Sequence, residues 1–413
     1  MRDIFAEEWR YYQKILEIVE SYANFHFFER IETPILEEAE LFTKGVGLST
    51  DIVQKEMFVL RTKGGDKLAL RPEGTAPVAR AFIQHGMQNL PQPVKLWYFS
   101  PFFRYEKPQA GRMRQFWQFG FEILGDDSPV LDAQIIQIFW NILKDLKFKN
   151  LVLKINSIGD SFCRPYYKKT LISYLKTKYP ALCADCKRRL KENPLRILDC
   201  KQESCQRIIA QAPQILDSLC EGCKNHLKGV LESLEELEIP YHLDPYLVRG
   251  LDYYTKTVFE IFEESEKGKE VGAIAGGGRY DNLIKILGGP QTPGVGGAAG
   301  VERIITLMKE KAFKFPGEKK AKIFLAQIGD LAKKKALKIL EEFRKEKIQV
   351  YESLGRDSLK AQLKLADRLK VKYVLILGQK EALEEKIMLR DMETGKQKIL
   401  DLKNLLKEIK KLI

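Results

Sequence analysis

The sequence contains few histidines and no long apolar run. Only four of its 413 residues are histidine. They stand outside the polar motifs of the chain, so we expect them to be structural or surface groups. No stretch approaches the roughly 20 apolar residues of a membrane-spanning helix. The N-terminal MRDIFAEEWRYYQK lacks the apolar core of a secretory signal. We therefore expect a cytoplasmic protein.

The chain carries an excess of basic residues, with a formal net charge of +13. Such an excess favours a polyanionic partner, because phosphate contacts release counterions. It is also typical of the Lys- and Glu-rich surfaces of heat-adapted proteins. Much of the lysine follows residue 310, in KEKAFKFPGEKKAK and AKKKALK, which favours RNA as the partner.

All seven cysteines lie in one polar, helical stretch at about 160–237. Six of them are the candidate metal ligands: Cys183, Cys186, Cys200, Cys205, Cys220 and Cys223. They include two C-x-x-C pairs, a spacing that suits tetrahedral zinc. The alternative is a set of reduced, free thiols, and we expect no disulfides in the cytosol.

The cysteine-bearing stretch separates two β-rich regions, so it reads as an insertion. After it come two glycine-rich segments and a helix at 300–311, then a Lys-rich linker. From about residue 320, strands and helices alternate, which predicts a small α/β domain with a partly parallel sheet. The sequence thus predicts an α+β region followed by a second domain.

A predicted hairpin places polar side chains on one face of a sheet. Alternation puts Arg104 and Glu106 on one face of the first strand, and Gln118, Gly120 and Glu122 together on one face of the second. A solvated face would have the same pattern. The glycine, however, often marks the close approach of a ligand.

A strand-to-turn segment, 70-LRPEGTAP-77, places Glu73 in a turn before a helix. Thr75 is the expected N-cap of that helix. A turn and a cap do not require Glu73, which could meet a substrate amine. The glycine-rich segment 272-GAIAGGGRYD-281 predicts tight backbone against a ligand. The segment 294-GVGGAAG-300 lacks the GK[ST] ending of a P-loop.

The stretch 247-LVRGLDYYTKTVFEIF-262 joins a cation, an acid and two phenols to an apolar strand. Together with 31-IETPILEEAELF-42, 70-LRPEGTAP-77, 103-FRYEKPQAGRMRQFWQFGFEILG-125 and 294-GVGGAAGVERI-304, it resembles the class II aminoacyl-tRNA synthetases, and within them the histidyl-tRNA synthetase family. The likeness covers nearly the whole chain. The segment 249-RGLDYYT-255 is its most specific part.

The resemblance implies an antiparallel-sheet catalytic domain at 1–318, with the inserted helical segment, and an anticodon-binding domain at 319–413. It implies a histidine--tRNA ligase that forms histidyl-adenylate from L-histidine and ATP with Mg²⁺ and transfers histidine to the 3′ end of tRNA(His). It also implies a homodimer built on 31–42. Zinc in the insertion is not a family requirement.

The resemblance also assigns roles to individual residues. Arg249 and Arg104 are the implied catalytic arginines at the α-phosphate. The implied histidine-binding residues are Glu73, Gly74, Thr75, Arg104, Gln118, Glu122, Arg249, Tyr253 and Tyr254. The implied ATP-binding residues are Arg104, Glu106, Arg112 and Arg303. Gln109 and Arg114 are implied at the tRNA acceptor end.

A second hypothesis is the non-catalytic, histidine-sensing regulatory subunit of ATP phosphoribosyltransferase, which resembles the same catalytic core. That paralogue lacks the C-terminal tRNA domain and usually loses part of the motif set. Here residues 320–413 and every motif are present, which favours the enzyme. A nucleic-acid-binding module without catalysis would leave Glu73, Arg249 and Tyr254 unexplained.

Overall fold

The computed structural model describes residues 2–106, 113–264, 272–313, 315 and 321–412. The chain divides into two compact units, Met1–Phe313 and Lys314–Ile413. The sequence placed the domain boundary nearby, at 318/319. Within the described ranges, no helix is both long enough and apolar enough to cross a membrane.

Eight strands of the first unit form one mixed, mainly antiparallel sheet, and three others form a small antiparallel sheet. The strands are β1 (Glu29–Arg30), β2 (Leu36–Glu38), β3 (Val59–Arg61), β4 (Lys67–Leu70), β5 (Val94–Phe103), β6 (Gln115–Leu124), β7 (Leu151–Ser157), β8 (Tyr241–Leu243), β9 (Thr255–Glu263), β10 (Ala275–Arg279) and β11 (Gly294–Gly300). The large sheet has the order β1-β5-β6-β11-β10-β9-β7-β8, and the small one β2-β4-β3.

Helices cover both faces of the large sheet. They are α1 (Ala6–Phe25), α2 (Ala39–Gly45), α3 (Thr75–Gln84), α4 (Pro129–Asp145), α5 (Arg164–Thr177), α6 (Ala184–Glu192), α7 (Glu203–Ile209), α8 (Glu221–Glu236), α9 (Leu283–Ile286) and α10 (Val301–Glu310). Helices α1, α4 and α10 pack on one face, against Phe119, Phe121 and Ile123 of β6. Phe116 and Leu124 of β6 belong to the cluster on the opposite face, on which Gln118 and Glu122 also lie, so the alternation predicted for β6 is confirmed.

Two details of the predicted strands are wrong. β5 ends at Phe103, paired with Gln115, so Arg104 and Glu106 lie in the loop after the strand. The glycine-rich segments are themselves the adjacent central strands β10 and β11. A Cβ at Gly277 would lie 2.1 Å from the carbonyl oxygen of Gly296. Close packing of the two backbones therefore overrides the low strand propensity of glycine.

The segment between β7 and β8 is helical, as predicted, and contains α5 to α8 with three short 3₁₀ turns. The two C-x-x-C pairs begin helices: Cys183 is the N-cap of α6 and Cys220 is the N-cap of α8. The buried apolar residues of the predicted insertion belong to the same cluster as those on one face of the large sheet.

The second unit is an α/β domain with a partly parallel sheet, as predicted. Its elements are β12 (Ile323–Gln327), α11 (Asp330–Lys345), β13 (Val350–Glu352), α12 (Leu359–Arg368), β14 (Tyr373–Leu377), α13 (Gln379–Leu383), β15 (Lys386–Asp391), β16 (Gln397–Asp401) and α14 (Leu405–Lys410). β12 pairs in parallel with β13 and β14, and β14, β15 and β16 are antiparallel. Apolar clusters lie on both faces of this sheet.

Candidate active site

A large cleft of about 1000 Å³ opens in the first unit. Side chains from distant parts of the sequence line it, including Arg104, Gln118, Arg249 and Arg303. Arg104 follows β5, Gln118 lies on β6, Arg249 precedes β9 and Arg303 lies in the first turn of α10. The fold thus brings three arginines to one cleft, whose lining also includes acids such as Glu106 and Glu260. Guanidinium groups can bind a polyphosphate.

Arg249 is one of the residues that line this cleft. Its guanidinium is paired with Glu260 of β9, while its Nε is buried and has no hydrogen-bond partner among the described residues. A Cβ at Gly276 would lie 2.6 Å from Nη1 of Arg249. The glycine of β10 therefore clears the space in which the guanidinium lies.

Arg104 reaches the same cleft from the loop after β5. Its Nε donates to the carbonyl oxygen of Pro72 at 2.9 Å, and its guanidinium lies 5.4 Å from the ring centre of Phe116. One hydrogen bond and one cation–π contact hold the side chain in place. The two arginines thus line one cleft.

Two other predicted residues, Glu106 and Arg303, line this cleft. Arg303 donates from Nη1 to the carbonyl oxygen of Ala273. Arg114 is not among the lining residues; its guanidinium lies 4.2 Å from the ring centre of Tyr105. Arg112 and Gln109 lie outside the described residues.

The predicted histidine-binding residues form a buried polar cluster. Thr75 donates from Oγ1 to Glu122 at 2.7 Å, and the Tyr280 hydroxyl donates to the same carboxyl group. The Tyr253 hydroxyl donates to Glu73 at 3.2 Å. The structure therefore brings together carboxyl, hydroxyl and phenol groups that are far apart in sequence.

Tyr254 and Gln118 complete the surroundings of this cluster. The rings of Tyr253 and Tyr254 have centres 4.7 Å apart. Gln118 lies on the same face of β6 as Glu122, and its Oε1 is buried without a hydrogen-bond partner among the described residues. A buried, unpaired acceptor is costly unless a ligand satisfies it.

The environment of Glu122 changes its protonation. The pKa of Glu122 is raised from 4.5 to about 8. Burial is the largest cause of this rise, the hydrogen bonds from Tyr280 and Thr75 oppose it, and the nearby Glu73 carboxyl group adds to it. Burial also raises the pKa of Glu73. Two buried carboxyl groups in one cluster cannot both ionise easily, so this environment favours the neutral form of Glu122.

Two expectations for this region are wrong. Thr75 is the first residue of α3 and not its N-cap; the Glu73 carboxylate accepts instead from the backbone N–H groups of Thr75 and Ala76. The space above Gly120 and beside Gly74 belongs to the ring of Tyr98, which a Cβ at either glycine would meet at 2.3 Å. These glycines make room for a side chain of the protein.

Sequence reasoning missed two residues of the site. Glu260 pairs with Arg249, and its signal was a lone acid inside the apolar run of β9. Tyr280 follows β10 and donates to Glu122. Because Tyr280 is more than 150 positions from Glu122, no local pattern indicated that they meet.

The cysteines form two separate groups in the insertion. Cys183, Cys186, Cys200 and Cys205 form one, and Asp160 joins the other three cysteines in the second. In each group, the ligand atoms all lie within 4.8 Å of one another. The arrangement suits a metal, and zinc binding stays a prediction.

Family comparison covers both units of the chain. The model of the family described as histidyl-tRNA synthetase matches residues 1–304. The model described as anticodon binding domain matches residues 320–412. The first match covers well over half of the chain and includes every described residue of the candidate site.

Curated relatives match over the full length. Histidine--tRNA ligase of Acetivibrio thermocellus is 46% identical over 412 residues, which cover 99% of this chain and 98% of the relative. Histidine--tRNA ligase of Dehalococcoides mccartyi is 43% identical over 411 residues, which cover 100% of this chain and 98% of the relative. These alignments extend through the C-terminal unit.

Solved structures agree with the sequence relatives. The apo histidyl-tRNA synthetase of S. aureus has a TM-score of 0.80 at 34% identity and covers 99% of this chain and 97% of its own. An ATP phosphoribosyltransferase regulatory subunit/histidyl-tRNA synthetase from Bacillus halodurans has a TM-score of 0.63 at 20% identity, covering 92% and 97%. The second likeness shows the fold alone, so it does not favour the regulatory alternative. The full-length matches carry the stronger conclusion: this chain belongs to the histidyl-tRNA synthetase family, class II enzymes that activate histidine and charge tRNA with it.

Proposed function

We propose that the cleft joins L-histidine to ATP as histidyl-adenylate and that the same site then transfers histidine to the 3′ end of tRNA(His). The observation that carries this proposal is the convergence of Arg104 and Arg249 on one cleft. In the reaction, the histidine carboxylate attacks the α-phosphorus and pyrophosphate leaves. Negative charge develops on the nonbridging oxygens, where fixed guanidinium groups stabilise it.

The histidine side chain belongs in the buried cluster beside the cleft. Glu122 and Tyr254 contact the two nitrogens of the imidazole ring, and Tyr253 lines the pocket. Since the site already satisfies Glu122 with two hydroxyl groups, histidine must displace or share these hydrogen bonds. The protonated Glu122 then donates to a neutral imidazole or transfers its proton to it.

The α-ammonium group of histidine belongs near Glu73, Gly74, Thr75 and Gln118. The unpaired Oε1 of Gln118 supports this placement, because an ammonium group supplies the missing donor. The histidine carboxylate then points towards Arg104 and Arg249. This orientation places the nucleophilic oxygen beside the cations that receive the α-phosphate.

ATP occupies the remaining part of the cleft. Arg303 and Arg112 bind the outer phosphates, and Glu106 lies on the adenine side. No protein nucleophile is required, because positioning and charge stabilisation dominate this kind of transfer.

The cofactors of the proposal are Mg²⁺ at the reaction centre and zinc in the insertion. Among the described residues, the groups of three or more candidate metal ligands are the two cysteine clusters. Mg²⁺ commonly binds through one or two carboxylates together with substrate phosphates. Mg²⁺ bound to the phosphates of ATP would neutralise part of their charge.

The remaining partners of the proposal are tRNA(His) and a second copy of the chain. The domain at 319–413 binds the anticodon stem, and Gln109 and Arg114 meet the acceptor end. Residues 31–42 contribute to the homodimer interface, and the enzyme works in the cytoplasm. The match of residues 320–412 to an anticodon-binding family supports the tRNA partner.

The test is histidine-dependent exchange of pyrophosphate into ATP. We expect exchange by the wild-type chain, and a fall of about 100- to 1000-fold for Arg249→Ala, the range seen when one stabilising donor is lost. Histidine affinity should change by less than about tenfold. Because Glu260 would lose its partner, the double variant Arg249→Ala/Glu260→Gln controls for an unpaired acid.

Two results would contradict the proposal. Absence of exchange in the wild-type chain, with histidine binding retained, would favour the regulatory subunit. Equal losses of rate and histidine affinity in Arg249→Ala would show that Arg249 does not act mainly in the transition state.

A further inference from the structure

The seven cysteines of the chain divide completely between two ligand groups. Four of them, Cys183, Cys186, Cys200 and Cys205, form the first group, here named site A. The other three, Cys163, Cys220 and Cys223, form the second group with Asp160, here named site B. No cysteine is left over, and the two C-x-x-C pairs belong to different sites.

The sulfur distances match a single tetrahedral ion. With Zn–S bonds of about 2.3 Å, the edge of the tetrahedron is about 3.8 Å. The Sγ atoms of Cys183 and Cys200 are 3.9 Å apart in site A, and those of Cys163 and Cys223 are 3.7 Å apart in site B. A disulfide requires about 2.05 Å. An iron–sulfur cluster distributes its thiolates over several irons, so it needs a wider ligand set.

The backbone is arranged in the same way at both sites. Cys183 caps α6 with φ −65° and ψ 163°, and Cys220 caps α8 with φ −67° and ψ 163°. The second cysteine of each pair lies in the first turn of its helix. This shared turn directs two sulfurs of each pair to one point.

Backbone N–H groups also point at the sulfurs. The Cys183 N–H donates to Sγ of Cys205 at 3.3 Å, and the Cys186 N–H donates to Sγ of Cys183 at 3.4 Å. At site B, the Asp160 N–H donates to Sγ of Cys163 at 3.4 Å. Such outer hydrogen bonds orient ligands and stabilise thiolates.

We propose that the insertion binds two zinc ions, one at site A through four thiolates and one at site B through three thiolates and the Asp160 carboxylate. Both sites are closed, four-ligand sites, so the ions are structural and leave no position for a substrate. This inference rests on the proposed function, which places zinc in the insertion, and deepens it by giving the number of ions and their ligands; the synthetase reaction itself requires neither ion.

Site A supports the wall of the cleft next to Arg249. Cys200 ends a segment that carries the buried Arg196. Arg196 donates to Asp51 at 2.9 Å and to the backbone carbonyl of Arg249 at 3.5 Å. An ion at site A therefore fixes the segment from which Arg196 positions Arg249.

Site B joins the two ends of the insertion. Asp160 and Cys163 lie just after β7, where the insertion begins, whereas Cys220 and Cys223 begin its last helix, α8. Arg164, next to Cys163, donates to the backbone carbonyl of Tyr254 at 2.6 Å. An ion at site B therefore holds the insertion closed beside the proposed histidine pocket.

The direct test is the zinc content of the full-length chain, produced with zinc in the medium and purified without chelator or a histidine tag. Elemental analysis and native mass spectrometry should find two zinc ions per chain. Cys205→Ser should keep only the ion of site B, and Cys223→Ser only that of site A. One ion or none in the wild-type chain, or iron in place of zinc, overturns the proposal.

Asp160→Ala tests site B without removing a thiol. In this variant, site B should lose its zinc to a chelator at least tenfold faster than site B of the wild-type chain, while site A retains its ion. Asp185→Ala is the matched control, since this exposed acid lies between Cys183 and Cys186 but is outside both ligand groups. Equal zinc retention in the two aspartate variants would overturn the assignment of Asp160.

Cobalt substitution separates the two ligand sets. Tetrahedral Co²⁺ at site A should show stronger thiolate charge-transfer absorption than at site B, because it has four sulfur ligands rather than three. Cys205→Ser, in which only site B binds Co²⁺, should show the weaker charge-transfer absorption. Cys223→Ser, in which only site A binds Co²⁺, should show the stronger absorption. Identical spectra in the two variants would contradict the ligand sets. No substrate is used, so the outcome is independent of the synthetase reaction.

Discussion

Replacing Glu122 by glutamine should make the catalytic unit more stable at high pH than the wild-type unit. Glu122 is fully buried, and burial raises its pKa from 4.5 to about 8. Between these values the folded protein holds a proton that the unfolded chain has released. The stability from neutral Glu122 is therefore fully present below about pH 4.5 and is lost as the pH rises through about 8.

The size of the effect follows from the pKa difference. At roughly 1.4 kcal/mol for each pH unit, the interval from 4.5 to about 8 corresponds to at most about 5 kcal/mol. Glutamine stays neutral and can keep contacts with Thr75 and Tyr280. The free energy of unfolding of Glu122→Gln minus that of the wild type should therefore rise by roughly 3 to 5 kcal/mol across this interval.

The assay is urea unfolding followed by tryptophan fluorescence at several pH values. All four tryptophans lie in the first unit, so their signal reports the catalytic unit. Glu302→Gln is a matched control, because burial raises the pKa of Glu302 to about 7. The difference in the free energy of unfolding between Glu302→Gln and the wild type should therefore stop rising at a pH about one unit lower than for Glu122→Gln. If the difference in the free energy of unfolding between Glu122→Gln and the wild type is constant from pH 5 to 9, the reasoning is refuted.

Two other changes test the cleft and the domain division. Gly276→Ala should leave the free energy of unfolding nearly unchanged. The new Cβ would lie 2.6 Å from Nη1 of Arg249 and would displace only the end of a flexible side chain. Pyrophosphate exchange should nevertheless fall by about 10- to 100-fold, since small misplacements of catalytic groups are costly. Normal exchange would show that this guanidinium position is not required. Removal of residues 320–413 should abolish aminoacylation of tRNA in a charging assay but leave pyrophosphate exchange largely intact, since the second unit has its own core. Parallel loss of both activities would contradict separate roles for the two units.

Local patterns were sufficient for most helices and strands. The predicted helix at 300–311 coincides with α10, because apolar periodicity marks elements that bury one face. Apolar periodicity did not predict the glycine-rich strands β10 and β11. Their low propensity says nothing about the close backbone packing that stabilises them.

The site residues were predicted from motifs, but their contacts were not. Glu73 caps α3, Tyr280 bonds Glu122, and Glu260 pairs with Arg249. These relations join residues from separate strands and loops, so local spacing does not reveal them. In the same way, the C-x-x-C spacing indicated a metal but did not separate the two ligand groups.

The sequence by itself determined the two-part organisation, the family and the residue types of the cleft, because periodicity and motifs are local properties of a chain. Only the tertiary structure decided which groups share a buried environment. Burial and proximity of carboxyl groups raise the pKa of Glu122, and folding of the insertion places its cysteines at two centres. Both effects depend on distances between remote residues, which exist only in the folded protein.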